Sequence, residues 1–234
     1  AQLQALPPRQ FEELKLALAE VGMPQEHVHM IGLSSQTAQA MATEAARLVD
    51  CPVEHVLGAS TGVNGVALDI EKIRRGLPKA MAALAGDQGA QAAQAIMTTD
   101  PFPKEAAARL AIGGREITVG GMAKGSGMIE PMMATMLAFL TTDAEVEPGV
   151  LAGALCRVTN ETFNAITVDG ECSTNDCVFL LASGQSGVRV IREDDPALVE
   201  GLRAVPGHLA GEIVRGGEGA TKLVTVRVTG ARSE

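Results

Sequence analysis

The segment AARLAIGGREITVGGMAKG, residues 107–125, is the clearest indication of the fold in this sequence. Two β-type runs flank Gly113-Gly114, and a Gly-Gly pair in this position is typical of a β-hairpin with a two-residue loop. The segment ATMLAFLTTD, residues 134–143, follows as a nearly continuous apolar run. Such a run predicts a strand that is buried on both faces. The sequence therefore predicts a β-sheet in the middle of the chain.

Helices are predicted before and after this sheet from apolar spacing and from capping residues. Ser34 or Ser35 is expected to cap one helix and Asp69 the next. Pro78 and Pro206 are expected to kink or split the helices that contain them. The predicted helical ranges are 10–21, 36–49, 70–84, 90–97, 148–163 and 195–214.

Further extended segments are predicted, and the last of them, TKLVTVRVTG, alternates with period two as a half-exposed strand does. The predicted ranges are 27–33, 55–60, 164–170, 176–184 and 221–230. Strands and helices interleave along the chain, which indicates a mixed α/β fold. The expected architecture is a layered sheet covered by helices in one structural domain.

The composition favours a well-filled aliphatic core. Of the 234 residues, 46% are hydrophobic and 20% are charged, and there is no Trp or Tyr. The net charge of −9 and the lack of a basic patch argue against nucleic acid as a partner. The apolar runs are too short to span a bilayer and AQLQALPPRQ contains no apolar signal region, so we expect no membrane partner and a cytoplasmic location.

The four cysteines are expected to be reduced thiols. Cys51, Cys156, Cys172 and Cys177 show no C-x-x-C spacing, and they are few for a chain of this size. A zinc site would need a second closely spaced pair beside Cys172 and Cys177. No metal is therefore expected, and the simpler interpretation is that these are small buried side chains.

The pair Ala134-Thr135 lies in the segment KGSGMIEPMMATMLAFLTTDA, residues 124–144, and suggests self-cleavage. A threonine hydroxyl can attack the carbonyl of the preceding residue, and water then cleaves the resulting ester. The new N-terminal amine lies beside its own hydroxyl and can act as its base. Ala134 supplies the small residue that this reaction needs, and KGSG with Pro131 supplies a tight bend. The structural alternative is that Ala134-Thr135 only begins an apolar strand.

The sequence around this pair, GGMAKGSGMIEPMMATMLAFLTTDA, closely resembles the cleavage segment of the ornithine acetyltransferase family. These are the bifunctional glutamate N-acetyltransferases of arginine biosynthesis. The resemblance covers residues from about 35 to 233. Family members are considerably longer at both ends, and an Asn and a Thr that close their substrate site have no counterpart in this chain. Four further segments resemble the family in the same order: ASTGVNG at 59–65, AIMTTDPFPK at 95–104, FNAITVDGECSTND at 163–176 and VRGGEGATKLVTV at 214–226.

The resemblance implies a sheet-and-helix sandwich of the ornithine acetyltransferase and D-aminopeptidase type. It implies cleavage into an α-chain-like segment, residues 1–134, and a β-chain-like segment, residues 135–234, which would assemble as a heterotetramer of two α and two β chains. The implied reaction moves an acetyl group from N-acetylornithine to glutamate through an acetyl-threonine. Some members also accept acetyl from acetyl-CoA. No metal or prosthetic group is implied.

Residue by residue, the resemblance implies that Thr135 is the nucleophile and also contacts substrate, with Ala134 before the cut. The Thr61 hydroxyl and the Gly62 backbone N–H would form the oxyanion hole. The structural alternative for STGVNG is a glycine turn between a strand and a helix.

Three further side chains are implied as substrate ligands. Lys124 would meet the substrate carboxylate, Thr98 would hydrogen-bond the substrate, and Glu218 would pair with its amino group. Thr99 is adjacent to Thr98 and the sequence does not separate the two. Each has a structural alternative. Lys124 could be a solvated surface lysine, Thr98 and Thr99 could end a helix before Asp100, and Glu218 could be a loop carboxylate.

Two other functions stay open on the sequence alone. An N-terminal-threonine amidohydrolase or aminopeptidase would use the same nucleophile and pass the acyl group to water. A non-catalytic homologue would fold without turnover.

Overall fold

The computed structural model describes residues 3–4, 35–61, 68–130, 136–171 and 176–230. Its helices are α1 (Ser35–Val49), α2 (Ile70–Ala82), α3 (Gly89–Ala95), α4 (Pro148–Glu161) and α5 (Pro196–Arg215), with 3-10 turns at Val53–His55 and Phe163–Ala165. Its strands are β1 (Leu3–Gln4), β2 (Lys104–Ile112), β3 (Arg115–Lys124), β4 (Leu137–Thr142), β5 (Glu145–Val146), β6 (Cys177–Ala182) and β7 (Arg189–Val190).

The main sheet has the strand order β1-β2-β3-β4-β6. Strands β2 and β3 form the predicted hairpin, and Gly113 and Gly114 have φ of 58° and 80°, which a type I′ turn requires. Strand β4 pairs antiparallel with β3 and parallel with β6. A parallel pair needs a crossover, and α4 lies in that connection. Strands β5 and β7 form a separate two-stranded sheet.

The core lies where α5 packs on β2 and β3 and against α4. Asp195 caps α5, because its carboxylate accepts hydrogen bonds from the N–H groups of Ala197 and Leu198. Gly201 allows the close approach: a Cβ there would lie 3.0 Å from Val119 Cγ2 and would also meet Leu110. The predicted mixed α/β fold, with helices covering a sheet, is confirmed.

Most of the predicted helices are also confirmed. Asp69 caps α2 through a 3.0 Å hydrogen bond from the Lys72 N–H to its Oδ1. Pro78 and Pro206 lie inside α2 and α5, and neither helix is interrupted. The predicted split is therefore wrong, and the alternative, a kink, stays a prediction. The helix predicted at 10–21 and the strand predicted at 27–33 lie outside the described residues. No helix in the described ranges is long and apolar enough to cross a membrane.

Three predicted strands are wrong. Residues 55–60 begin with the last residue of the 3-10 turn and join no ladder among the described residues. Residues 164–170 bind the chain at Ile129 through the Val168 N–H and the Asp169 carboxylate, and these contacts replace a strand ladder. Residues 221–230 keep the alternating pattern but pair with no described strand, and Val226 is 80% exposed. A period-two pattern predicts a strand only where a partner edge is available.

The division at residues 134 and 135 falls between β3 and β4, so the main sheet draws strands from both predicted segments. That division itself stays a prediction. Cys51, Cys156 and Cys177 are free thiols, and Cys172 lies outside the described residues.

Candidate active site

The turn that follows β3 is the centre of the site. Its residues are Gly125, Ser126 and Gly127, and hydrogen bonds connect it to two distant loops. Ser126 is only 3% exposed although it is polar. A buried polar turn needs partners for its backbone and hydroxyl groups, and the two loops provide them.

Asp100 connects the first loop, between α3 and β2, to this turn. Its Oδ1 accepts hydrogen bonds from the Gly125 N–H at 2.8 Å and from Lys104 Nζ at 2.6 Å. Its Oδ2 accepts from the Thr98 N–H at 3.1 Å. Burial acts to raise the pKa of Asp100, but the bonds from Gly125, Lys104 and Thr98 outweigh it and lower the pKa. Asp100 is therefore an ionised anchor that holds the Thr98 loop beside the turn.

The loop after α5 brings Glu218 to the other side of the turn. Ser126 Oγ donates to the Gly216 carbonyl at 2.8 Å, and the Glu218 N–H donates to the Ser126 carbonyl at 2.7 Å. A Cβ on Gly127 would lie 3.2 Å from Glu218 Oε2, so the glycine leaves room for this carboxylate. The hydrogen bonds that Gly216 and Glu218 make with Ser126 thus bring Glu218 close to the turn.

Lys124 ends β3 and its ammonium group is buried within the site. The residue is 1% exposed, and Nζ donates to Thr61 Oγ1 at 3.2 Å. Burial lowers the pKa of Lys124, although Asp100 and Asp176 act in the opposite direction. The interpretation of Lys124 as a solvated surface lysine is therefore wrong.

Asp176 holds the residue that directly follows Thr135 in the sequence. Its Oδ1 accepts a hydrogen bond from the Met136 N–H at 3.0 Å, and the Cys177 N–H donates to the Met136 carbonyl at 3.2 Å. Burial raises the pKa of Asp176 to about 7, with the Met136 bond and Lys124 acting against it. A cavity of about 360 Å³ is lined by Met136 and Asp176 together with Asn160 and Phe163.

The structure thus gathers four of the predicted residues. Thr61 and Lys124 are in contact, and Thr98 and Glu218 lie on the two loops that are bound to the turn after Lys124. Thr98 and Thr99 are both exposed, so burial does not separate them. Three other predicted residues lie outside the described residues: Gly62, Ala134 and Thr135.

Sequence reasoning missed the aspartates that hold these segments together. Asp100, Asp169 and Asp176 each accept backbone N–H bonds from the chain between β3 and β4. A signal was present, because Asp100 lies in TTDPFPK and the other two lie in VDGECSTND, both within segments already singled out. An aspartate in a polar loop is typical of a backbone acceptor.

The site and fold describe a mixed α/β protein in which a buried lysine at the end of a sheet strand contacts a half-buried threonine. A family model described as the ArgJ family matches residues 32–234. The chain belongs to this family.

Its relatives carry the name "Arginine biosynthesis bifunctional protein ArgJ". The protein from Symbiobacterium thermophilum is 53% identical over 197 residues, covering 83% of this chain and 49% of the relative. The protein from a Synechococcus species is 49% identical over 196 residues, covering 82% of this chain and 47% of the relative. The chain therefore spans about half the length of these curated relatives.

A crystal structure of argJ from Bacillus halodurans is 32% identical, with a TM-score of 0.37. The match covers 41% of this chain and 50% of that one.

Proposed function

We propose that this chain is an acetyltransferase that moves acetyl from N-acetylornithine to glutamate after cleaving itself between Ala134 and Thr135. Membership of the ArgJ family supports the reaction class. The observation that carries the proposal within the site is the contact between the buried Lys124 Nζ and the half-buried Thr61 Oγ1 at 3.2 Å. It joins two side chains that the sequence resemblance assigns to the same reaction.

In the proposed maturation step, Thr135 Oγ attacks the carbonyl carbon of Ala134. The peptide C–N bond breaks, the Thr135 nitrogen takes the hydroxyl proton, and an ester forms. Water hydrolyses this ester to a carboxylate on Ala134 and leaves Thr135 with a free α-amine. That amine, with an ordinary pKa of about 8, can then act as the base for its own hydroxyl.

The Lys124–Thr61 contact suits stabilisation of negative charge. The Thr61 oxygen accepts from an ammonium group, which leaves the Thr61 hydroxyl proton free to donate elsewhere. Hydrogen bonds in a chain polarise one another, so accepting from Lys124 makes the Thr61 hydroxyl a better donor. A donor of this kind is most effective where water is excluded, and Lys124 is 1% exposed.

In the proposed transfer, Thr135 Oγ attacks the acetyl carbonyl of N-acetylornithine. The amide bond breaks, ornithine leaves with the proton on its amine, and an acetyl ester remains on Thr135. The amine of glutamate then attacks this ester, and N-acetylglutamate leaves while the hydroxyl regains a proton. Lys124 and Glu218 offer a cation for the amino-acid carboxylate and an anion for the ornithine amine, and acetyl-CoA is a further donor to test.

Intact mass spectrometry of the purified chain tests both steps. We expect two pieces whose masses correspond to residues 1–134 and 135–234. Incubation with N-acetylornithine should add one acetyl group to the second piece, and glutamate should then remove it as N-acetylglutamate. The substrates are supplied at high concentration, so that a failure to acetylate the second piece is not due to low substrate.

The other functions are distinct outcomes of the same measurement. Acetylation of the second piece followed by release of acetate alone would favour a hydrolase. Complete cleavage without acetylation would support the proposed self-cleavage and contradict the proposed acetyl transfer. A folded chain that stays intact would contradict the whole proposal.

Thr61→Ala is expected to slow self-cleavage by about 10²–10³-fold, which corresponds to about 2.7–4 kcal/mol of lost transition-state stabilisation. The variant loses the hydroxyl donor and also the acceptor for Lys124. Thr61→Ser is the matched control, because it keeps a hydroxyl, and it should cleave much faster than the alanine variant. Quantified denaturing gels over time give the rates. Cleavage of Thr61→Ala at the wild-type rate would show that ASTGVNG acts only as a turn.

A further inference from the structure

Asp176 makes a contact that the proposed function does not use. Its Oδ1 accepts the Met136 N–H at 3.0 Å, and Met136 directly follows Thr135 in the chain. The peptide unit between them is planar, and it includes the Cα of Thr135. A bond to the Met136 N–H therefore acts on the peptide unit that directly follows the proposed nucleophile in the sequence.

The second oxygen of Asp176 is unusual. Oδ2 is buried and accepts no hydrogen bond from any residue that the structure describes. Buried polar atoms in proteins nearly always have a partner, and an unpaired one is costly. The bond to Met136 accounts for Oδ1 alone, so the buried Oδ2 needs a further explanation.

The titratable groups around Asp176 belong to the site as well. Lys124 on β3 attracts the carboxylate, and the Cys177 thiol on β6 is its sequence neighbour. The buried pair of Asp100 and Lys104 in turn acts electrostatically on Lys124. Asp176 thus hydrogen-bonds the Met136 N–H and interacts electrostatically with the ammonium group that contacts Thr61.

We propose that Asp176 is a positioning residue for self-cleavage: by accepting the Met136 N–H, it fixes the backbone of the residue that directly follows the proposed nucleophile, Thr135. The inference rests on the proposed function, because it takes Thr135 as the nucleophile. It adds a residue to the site and assigns it a role that acts through the backbone.

The ionised form of Asp176 is the better acceptor, because hydrogen bonds to a charged group are stronger than neutral ones. Its pKa, which burial raises to about 7, means that this form accumulates as the pH rises through neutrality. Self-cleavage should therefore have an inflection near neutral pH that depends on this residue. An asparagine in its place keeps an acceptor oxygen but does not titrate.

The test follows self-cleavage of newly synthesised chain as a function of pH in three variants. Asp176→Ala removes the acceptor and should slow cleavage by about ten-fold to a hundred-fold. Asp176→Asn should slow it by about five-fold and remove the inflection. Asp143→Ala is the matched control, because the Asp143 Oδ1 also accepts a backbone N–H, from Thr118 at 2.7 Å, at another place in the sheet.

Hydrogen exchange at the Met136 amide gives a second readout that does not need cleavage. Exchange should be faster in Asp176→Ala than in Asp176→Asn and unchanged in Asp143→Ala. A folded wild-type chain that stays intact would overturn both the proposed function and this inference. Wild-type cleavage with an unaffected Asp176→Ala variant would overturn the inference alone. Equal slowing in Asp143→Ala, or an unchanged inflection in Asp176→Asn, would also overturn it.

Discussion

A Thr135→Ala chain is expected to remain a single full-length species, whereas the wild type divides into two pieces. The variant has no hydroxyl to attack the Ala134 carbonyl, so no ester can form. Thr135→Ser keeps a hydroxyl and should cleave at a reduced rate. Denaturing gels and N-terminal sequencing give the result, and the second wild-type piece should begin Thr-Met-Leu-Ala-Phe.

Thr141→Ala is a suitable control for this experiment, because Thr141 lies on β4 in the same stretch of chain. It should cleave as the wild type does. Cleavage of Thr135→Ala at the same bond would show that another group breaks the peptide, and Thr135 would lose its role as nucleophile.

Asp100→Ala is expected to lower the free energy of unfolding by about 3–5 kcal/mol, the usual cost of breaking a buried ion pair by removing one partner. The side chains of Asp100 and Lys104 are both 0% exposed, and their charged atoms lie 2.6 Å apart. The variant leaves the Lys104 ammonium with a weak 3.4 Å bond to the Phe102 carbonyl and the Gly125 N–H without its acceptor. Urea denaturation followed by circular dichroism measures the change.

Two comparisons make this result specific. The double variant Asp100→Ala with Lys104→Met removes both charges and should recover part of the lost stability, because no unpaired charge stays buried. Asp194→Ala removes the partner of Arg192 in an exposed pair and should leave the unfolding midpoint unchanged within error. An Asp100→Ala midpoint equal to that of Asp194→Ala would mean that the buried pair does not stabilise the fold.

The pKa of Asp100 also sets the pH range of this stabilisation. The folded state lowers it below the unfolded value of about 3.9. The contribution is therefore fully present above that value and is lost as the pH falls through the folded pKa.

Much of the fold was predictable because local signals and tertiary contacts agree. Gly113-Gly114 predicts a turn on backbone geometry alone, and Asp69 predicts a helix start because it can accept its own helix N–H. The strand predicted at residues 164–170 failed for a different reason. Thr167 and Val168 donate hydrogen bonds to the Ile129 carbonyl, and Asp169 accepts one from the Ile129 N–H. A sequence does not reveal which distant backbone groups need such partners.

The site was predictable in its residues and less so in its organisation. Motif resemblance pointed to Lys124 and Thr61, which are far apart in sequence and in contact in the structure. It gave no indication that Lys124 is buried, because a lysine at the end of a strand is usually exposed. Asp100 and Asp176 were missed since their importance lies in the backbone groups they accept from, and these pairings arise only in the folded chain.

The position of the proposed cut within the sheet has a consequence for folding. Strand β3 lies before residues 134 and 135 and β4 lies after them, and the two form a continuous antiparallel ladder from Val119 and Thr142 to Lys124 and Leu137. Helix α5 also belongs to the second segment but packs on β2 and β3 of the first. Cleavage would leave these contacts intact, so the pieces should stay together in native solution. Once unfolded, however, they would have to find each other again, and a folding reaction that was unimolecular in the precursor would become dependent on concentration. The fold would thus form in the uncut precursor. After self-cleavage, the mature protein would stay folded because it unfolds slowly.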